Sequence, residues 1–297
     1  MSISHDSAAS SATCSASAAA LYRPMPSAEH GPMARQAQRA LLWSARAWLV
    51  VALAGQALFA VYVLAFYGAA AVAGRLDRWN GVLPHGWVPG DAFANSLTAL
   101  HLVFTVLIIG GGLLQLLPVV RRLAPAVHRW NGRVYIVSAL VMATGGLVMM
   151  LTRRTVGDAV QHAGLMLNAV LIVVLAVVAW RLAVGRQIER HRRWALRLFL
   201  AVSGVWFFRV GLMAWLLANR GPVGFDPQTF QGPFLSFLAF AQYVVPLLVL
   251  EGYLRARDHG GPIARIAMSG VLAVATLCTA LGVVGAGLVM WGPRIVG

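Results

Sequence analysis

Residues 160–184 read VQHAGLMLNAVLIVVLAVVAWRLAV, and His162 is the only ionisable side chain before Arg181. As a helix this stretch is about 37 Å long at 1.5 Å per residue. It therefore exceeds the roughly 30 Å of bilayer hydrocarbon that about 20 apolar residues cross. Six more apolar runs lie around it, at Leu42–Ala73, Phe93–Val120, Trp130–Leu151, Trp194–Ala218, Pro233–Tyr253 and Ile266–Trp291. With 59% hydrophobic and 11% charged residues over 297, a soluble chain would expose far too much apolar surface. The expectation is an all-α, polytopic integral membrane bundle of about seven spans. The runs follow one another too closely to leave room for a soluble domain between them.

The net charge of +15 comes entirely from arginine, since there is no lysine. Arg35, Arg39 and Arg46 precede the first run, and Arg121, Arg122, Arg129 and Arg133 surround the second connection. Arg181, Arg186, Arg190, Arg192 and Arg193 crowd the fourth connection, and Arg255, Arg257 and Arg265 the sixth. Alternate connections carry only Arg75 and Arg78, then Arg153 and Arg154, then Arg220. By the positive-inside rule the N-terminus is cytoplasmic, which fits a bacterial inner (plasma) membrane. The basic bias thus reads as topology with some attraction to anionic lipid, not as nucleic-acid binding.

The Ser- and Ala-rich stretch 1–31 reads as a disordered tail. With the basic residues that follow, it forms an N-terminal segment 1–40 ahead of a transmembrane domain 41–297. That stretch lacks the charged start and apolar stretch of a signal peptide. Cys14 lies in the tail and Cys278 in the last run, which is neither a disulfide framework nor a metal motif. Cys278 is expected to pack as a small apolar residue. Asn80-Gly81, Pro118, Pro125, Gly221-Pro222 and Asp226-Pro227 mark connections, and Pro246 falls inside a run.

Four histidines fall in four consecutive spans: His101, His128, His162 and His191. Ionisable groups in hydrocarbon are costly, and by default they mark function. On the alternating topology they form two pairs. His101 and His162 lie toward the outer face, His101 about 12 Å inside it, and His128 and His191 start their spans at the cytoplasmic face. Each pair places two imidazoles on separate helices at matched depth, as a bis-histidine haem requires. The plainer alternative for His101 and His162 is hydrogen bonding to Asn95, Ser96 or Asn168. For His128 and His191 it is interfacial anchoring among Arg and Trp. Arg209 follows Trp206-Phe207-Phe208 about 13 Å below the outer face. A guanidinium there calls for an anion, such as a haem propionate or an acidic substrate, or else for an acceptor such as Gln242.

Two strings echo each other: His128-Arg129-Trp130-Asn131-Gly132-Arg133-Val134-Tyr135, and His191-Arg192-Arg193-Trp194 with Arg197 one turn on. They point to a pseudo-repeat of helix pairs, with spans two to five (about 93–218) as the functional core. Glu251 is expected to bridge to Arg133 or Arg197, and Gln115 to make a helix-to-helix hydrogen bond. The sequence has no phosphate-binding glycine loop, dinucleotide fingerprint, covalent-haem motif or carboxylate cluster.

Through His101, Gln115, the His-Arg-Trp-x-Gly-Arg-x-Tyr string, the His191–Trp194 string, Arg197, Arg209 and Glu251, residues 95–257 resemble a bacterial family of multi-pass membrane proteins of unknown function. In arrangement only, the four histidines are similar to those of transmembrane diheme b-type cytochromes. That likeness implies haem b ligated by His101/His162 and His128/His191, with Arg209 against a propionate. Quinol or a soluble electron-transfer protein would be the partner. The competing expectation is a non-haem transporter, proton pathway or small-ligand sensor built on His101, His162 and Arg209.

Overall fold

The computed structural model describes residues 31–83, 85–152 and 157–296. These are helical throughout apart from connections and one isolated bridge between Asp226 and Gln231. The helices are α1 (Pro32–Val72), α2 (Ala92–Leu116), α3 (Pro118–Leu123), α4 (Pro125–Thr152), α5 (Ala159–Val184), α6 (Ile188–Val202), α7 (Gly204–Asn219), α8 (Pro233–His259) and α9 (Pro262–Ile295). Six of them are long and apolar enough to cross a membrane, and α6 with α7, bent by 54° at their junction, make a seventh if the pair is counted as one span. The polytopic bundle expected from the sequence is therefore the observed architecture.

Local chemistry accounts for where the helices start. Pro32, Pro118, Pro125, Pro233 and Pro262 each open a helix, where a missing N–H costs no hydrogen bond and φ is already set. Asp91 and Asp158 cap α2 and α5, accepting from the backbone N–H of Ala94 (3.0 Å) and Gln161 (2.8 Å). The second carboxylate oxygen of Asp158 accepts from Ser236 Oγ at 2.9 Å, tying the start of α5 to α8.

The packing closes a ring. α2 lies on α4, α4 on α5, α5 on α6 and α8, α8 on α7, and α7 on α9, which returns to α1 and so to α2. Two π-helical turns interrupt this frame, Val63–Gly68 in α1 and Ala286–Trp291 in α9. They meet through an aromatic cluster in which Trp291 lies 5.3 Å from Phe59, and Tyr62 lies 5.9 Å from Tyr67 (ring centroids). Such turns inside α-helices occur often at functional sites.

Three expectations are revised. α1 begins at Pro32, so residues 32–40 are helical, with Ala34 and Ala37 buried; residues 1–30 of the expected tail lie outside the described residues. The run Trp194–Ala218 is not one straight span. It breaks at Ser203 with a bend of 54°, because Ser203 Oγ bonds back to the Phe199 carbonyl (2.8 Å) just before Gly204, a pairing that bends helices. Cys278 is exposed on the bundle surface and packs against no protein core.

Candidate functional site

A cavity of about 300 Å³ lies inside the ring, in its arginine-poor half. Each wall is one stripe of a helix. α4 contributes Tyr135, Ala139, Met142, Ala143, Gly146 and Met150, the three- and four-residue spacing that keeps side chains on one face. The stripe on α2 starts at His101 and that on α5 at Leu165, and the broken span gives Ser203, Trp206 and Arg209. Apolar groups dominate, with a few polar groups converging, as in small-molecule sites.

His101 and Arg209 therefore line one cavity. No acidic side chain among the described residues pairs with Arg209. The ion pairs among the described residues are Arg192–Glu189, Arg193–Asp258, Arg197–Glu251 and Arg257–Asp258. Gln242, the neutral acceptor considered, donates Nε2 to the Ala239 carbonyl and leaves Oε1 without a partner among the described residues. Arg209 makes one hydrogen bond, to the Val205 carbonyl one turn back (3.2 Å), and its guanidinium lies 5.3 Å over the Phe59 ring. A guanidinium has five N–H donors, so most of its hydrogen-bonding capacity is unengaged.

Other wall atoms are in the same condition. His101 Nδ1, Asn168 Oδ1 and Trp206 Nε1 are buried without a hydrogen-bond partner among the described residues. Buried polar groups are normally paired, and each exception calls for a reason. Two of the side chains expected to satisfy His101 make other hydrogen bonds. Asn95 bonds both backbone groups of Val88 (3.0 and 2.7 Å), and Asn168 Nδ2 donates to the Ala201 carbonyl beside the break (3.2 Å). Gly204 permits this last contact, since a Cβ there would stand 2.8 Å from Asn168 Nδ2.

His162 lies outside the cavity. It is three residues into α5, and the α5 stripe begins a turn further along, at Leu165. His101 is nine residues into α2, so along their own helices the two differ by about 9 Å at 1.5 Å per residue. The cavity also takes in residues outside spans two to five: Gln56, Phe59, Tyr62 and Tyr67 of α1, and Met290 of α9. An aromatic residue in an apolar run carries no signal by itself. The clue to Tyr67 would have been Trp79, whose indole N–H donates to the Tyr67 carbonyl (3.1 Å) from a connection and not from a membrane interface.

The arginine-rich end is built differently. His128 and His191 open α4 and α6 close enough to interact electrostatically. His191 Nδ1 hydrogen-bonds the Ala179 carbonyl at 2.9 Å. The carbonyl can only accept, so the proton is on Nδ1, which in the neutral ring leaves Nε2 as the acceptor. Gln115 reaches the His128 carbonyl (2.8 Å) across the helix pair as expected, and Gly132 leaves it room. Asn131 donates to the Gly111 carbonyl at 2.8 Å, and Arg197 pairs with Glu251 at 2.7 Å. The two echoing strings share a geometry: Arg133 lies over Trp130 (4.7 Å) and Arg197 over Trp194 (5.1 Å). Arg46 over Trp43 (5.1 Å) is a third instance, near the start of α1.

Fold and cavity together define a polytopic helical membrane protein with a mostly apolar chamber and an arginine in its wall. The chain belongs to the family described as predicted membrane protein (DUF2306), which matches residues 98–250. No curated protein and no solved structure matches the chain. The likeness to diheme cytochromes therefore rests on the placing of four histidines alone.

Proposed function

We propose that the chain is a membrane-embedded binding protein whose cavity takes a small lipophilic ligand with an anionic or strongly accepting head group, as a transporter or membrane sensor does. The observation that carries this reading is Arg209, which shares a cavity wall with His101 and has no acidic partner among the described residues. An intramembrane guanidinium is costly, and an anion brought to it offsets that cost. Arg209 holds the head group, His101 and the Trp206 N–H supply further contacts, and the α4 stripe takes the apolar body. Discontinuous spans recur at transporter binding sites, and the break at Ser203 adjoins this one. The arginine distribution favours the cytoplasmic side of a bacterial inner membrane for the arginine-rich face.

The test uses the full chain in phosphatidylcholine vesicles and a brominated long-chain fatty acid, which quenches nearby tryptophan. Quenching that is lost in Trp206→Phe reports the cavity. Arg209→Leu should weaken this Trp206-dependent binding by about 30-fold or more, the effect of truncating one partner of a buried charge pair (roughly 2–5 kcal/mol). Equal binding by the wild type and Arg209→Leu would sink the reading.

A second reading, haem b at the arginine-rich end, draws on one observation: the bond to Ala179 puts a proton on His191 Nδ1, so the neutral ring has Nε2 as its acceptor, and His128 is near enough to interact with it electrostatically. In the cavity, a haem would have His101 as ligand and Arg209 against a propionate, without His162. Purified protein from haem-replete cells would then be red, with a reduced-minus-oxidised α-band that changes in His191→Ala or His101→Ala. A colourless, folded preparation ends that reading.

A further inference from the structure

We propose that the cavity is reached sideways from the bilayer, through a portal between α2 and α4 gated by His101 and Met142, so that its ligand is one dissolved in the membrane. This rests on the cavity being a ligand site. A groove of about 220 Å³ runs along the outside of the α2–α4 seam, lined by Leu97, Leu100, Val141, Gly145 and Val148 together with His101 and Met142. His101 and Met142 also line the inner cavity. These two side chains thus stand between groove and chamber. Leu100 and Val148 are 44% and 38% exposed, so the groove opens on the lipid-facing side of the bundle. Beside Gly145 and Gly146 there is open space, with nothing within 4 Å of where a Cβ would be.

Other elements line the chamber above and below. Toward the arginine-poor face, Val82 and Leu83 of the α1–α2 connection roof the chamber. That connection is pinned by Trp79, which is buried, and by paired bonds between Asn80 and Trp87 (2.8 Å each). Toward the arginine-rich face, Tyr135 and Phe199 floor it, and Gln56 donates to Ser203 (3.0 Å) across it. A methionine at the gate suits the task, because its unbranched chain with three rotatable bonds moves aside easily.

The portal predicts rates, and the head-group site predicts affinity. In the vesicle assay, Gly145→Phe should slow both the association and the release of the brominated fatty acid by about tenfold or more, as closure of a gate does, with its equilibrium binding unchanged. Gly270→Phe, an equal enlargement at an open glycine of α9, should match the wild type. Should Gly145→Phe fail to fold, Met142→Ala is the second test and should speed association. A wild type that shows Trp206-dependent binding, with a rate untouched by Gly145→Phe or by Met142→Ala, overturns the portal and leaves the site standing. A wild type with no Trp206-dependent quenching overturns both.

Discussion

The two ends of the bundle treat most of their polar groups in opposite ways. At the arginine-rich end, Gln115, Asn131, His191, Arg197 and Glu251 all have partners on another element, and Arg133 lies on a tryptophan ring, whereas His128 Nδ1 is buried there without a partner among the described residues. In the arginine-poor half, Arg209 bonds only its own helix, and His101, Asn168 and Trp206 leave buried atoms unpaired beside a cavity. The first pattern is what holding helices together looks like. The second is unstable unless something else completes it, because a buried unsatisfied group forfeits about 1–3 kcal/mol. Ionisable residues in a membrane thus do not all carry the same message, and the presence of partners within the protein is what separates them.

That contrast breaks most readily at Glu251. Glu251→Ala leaves Arg197 without its carboxylate, and the pair is only 21% and 33% exposed. It lies between buried pairs, whose disruption costs 3–5 kcal/mol, and surface pairs worth less than 1, so we expect a loss of roughly 1–3 kcal/mol. Denaturation in mixed micelles measures it. Ligand binding in the cavity should be retained, whereas Arg209→Leu should lose binding and keep stability. A Glu251→Ala protein as stable as the wild type would remove the distinction between the two ends.

Asn131→Ala should act next. It removes the Asn131 donation to the Gly111 carbonyl, which joins α4 to α2. Hydrogen bonds of this kind between membrane helices average about 0.6 kcal/mol and reach about 1.7. We expect a loss of about 1 kcal/mol in the same denaturation measurement. A larger loss accompanied by loss of binding would mean that this seam also shapes the cavity.

The fold was legible because length and apolarity alone decide a span, and those survive any detail of packing. The break at Ser203 was not, since Val202-Ser203-Gly204 stays apolar enough to pass as uninterrupted helix. Its signal was the serine–glycine pair, which hydropathy ignores. Of the site, His101 and Arg209 could be found because charge in hydrocarbon is rare. Tyr62 and Tyr67 could not, because only the folding of α1 with its π-helical turn brings them to the chamber, and Trp206 could not, because its place there follows from the packing of α7 beyond the break at Ser203. His162 shows the limit of depth arithmetic: a single helical turn at the start of α5 decides whether a side chain reaches the cavity wall.

The two echoing strings offer the smallest and sharpest comparison. Each lays an arginine over a tryptophan one turn earlier, yet Arg197 also holds Glu251, while Arg133 has the Trp130 ring as its partner among the described residues. Trp130 is 65% exposed, and a cation–π contact at such a site contributes about 0.5–1 kcal/mol. Arg133→Gln should therefore cost no more than that, and Arg197→Gln the roughly 1–3 kcal/mol of the ion pair as well. Measured side by side in mixed micelles, an equal cost would mean that the echo is a functional repeat as well as a sequence one. The expected inequality means that the second string carries an inter-helix bridge in addition to the arginine–tryptophan contact the two strings share.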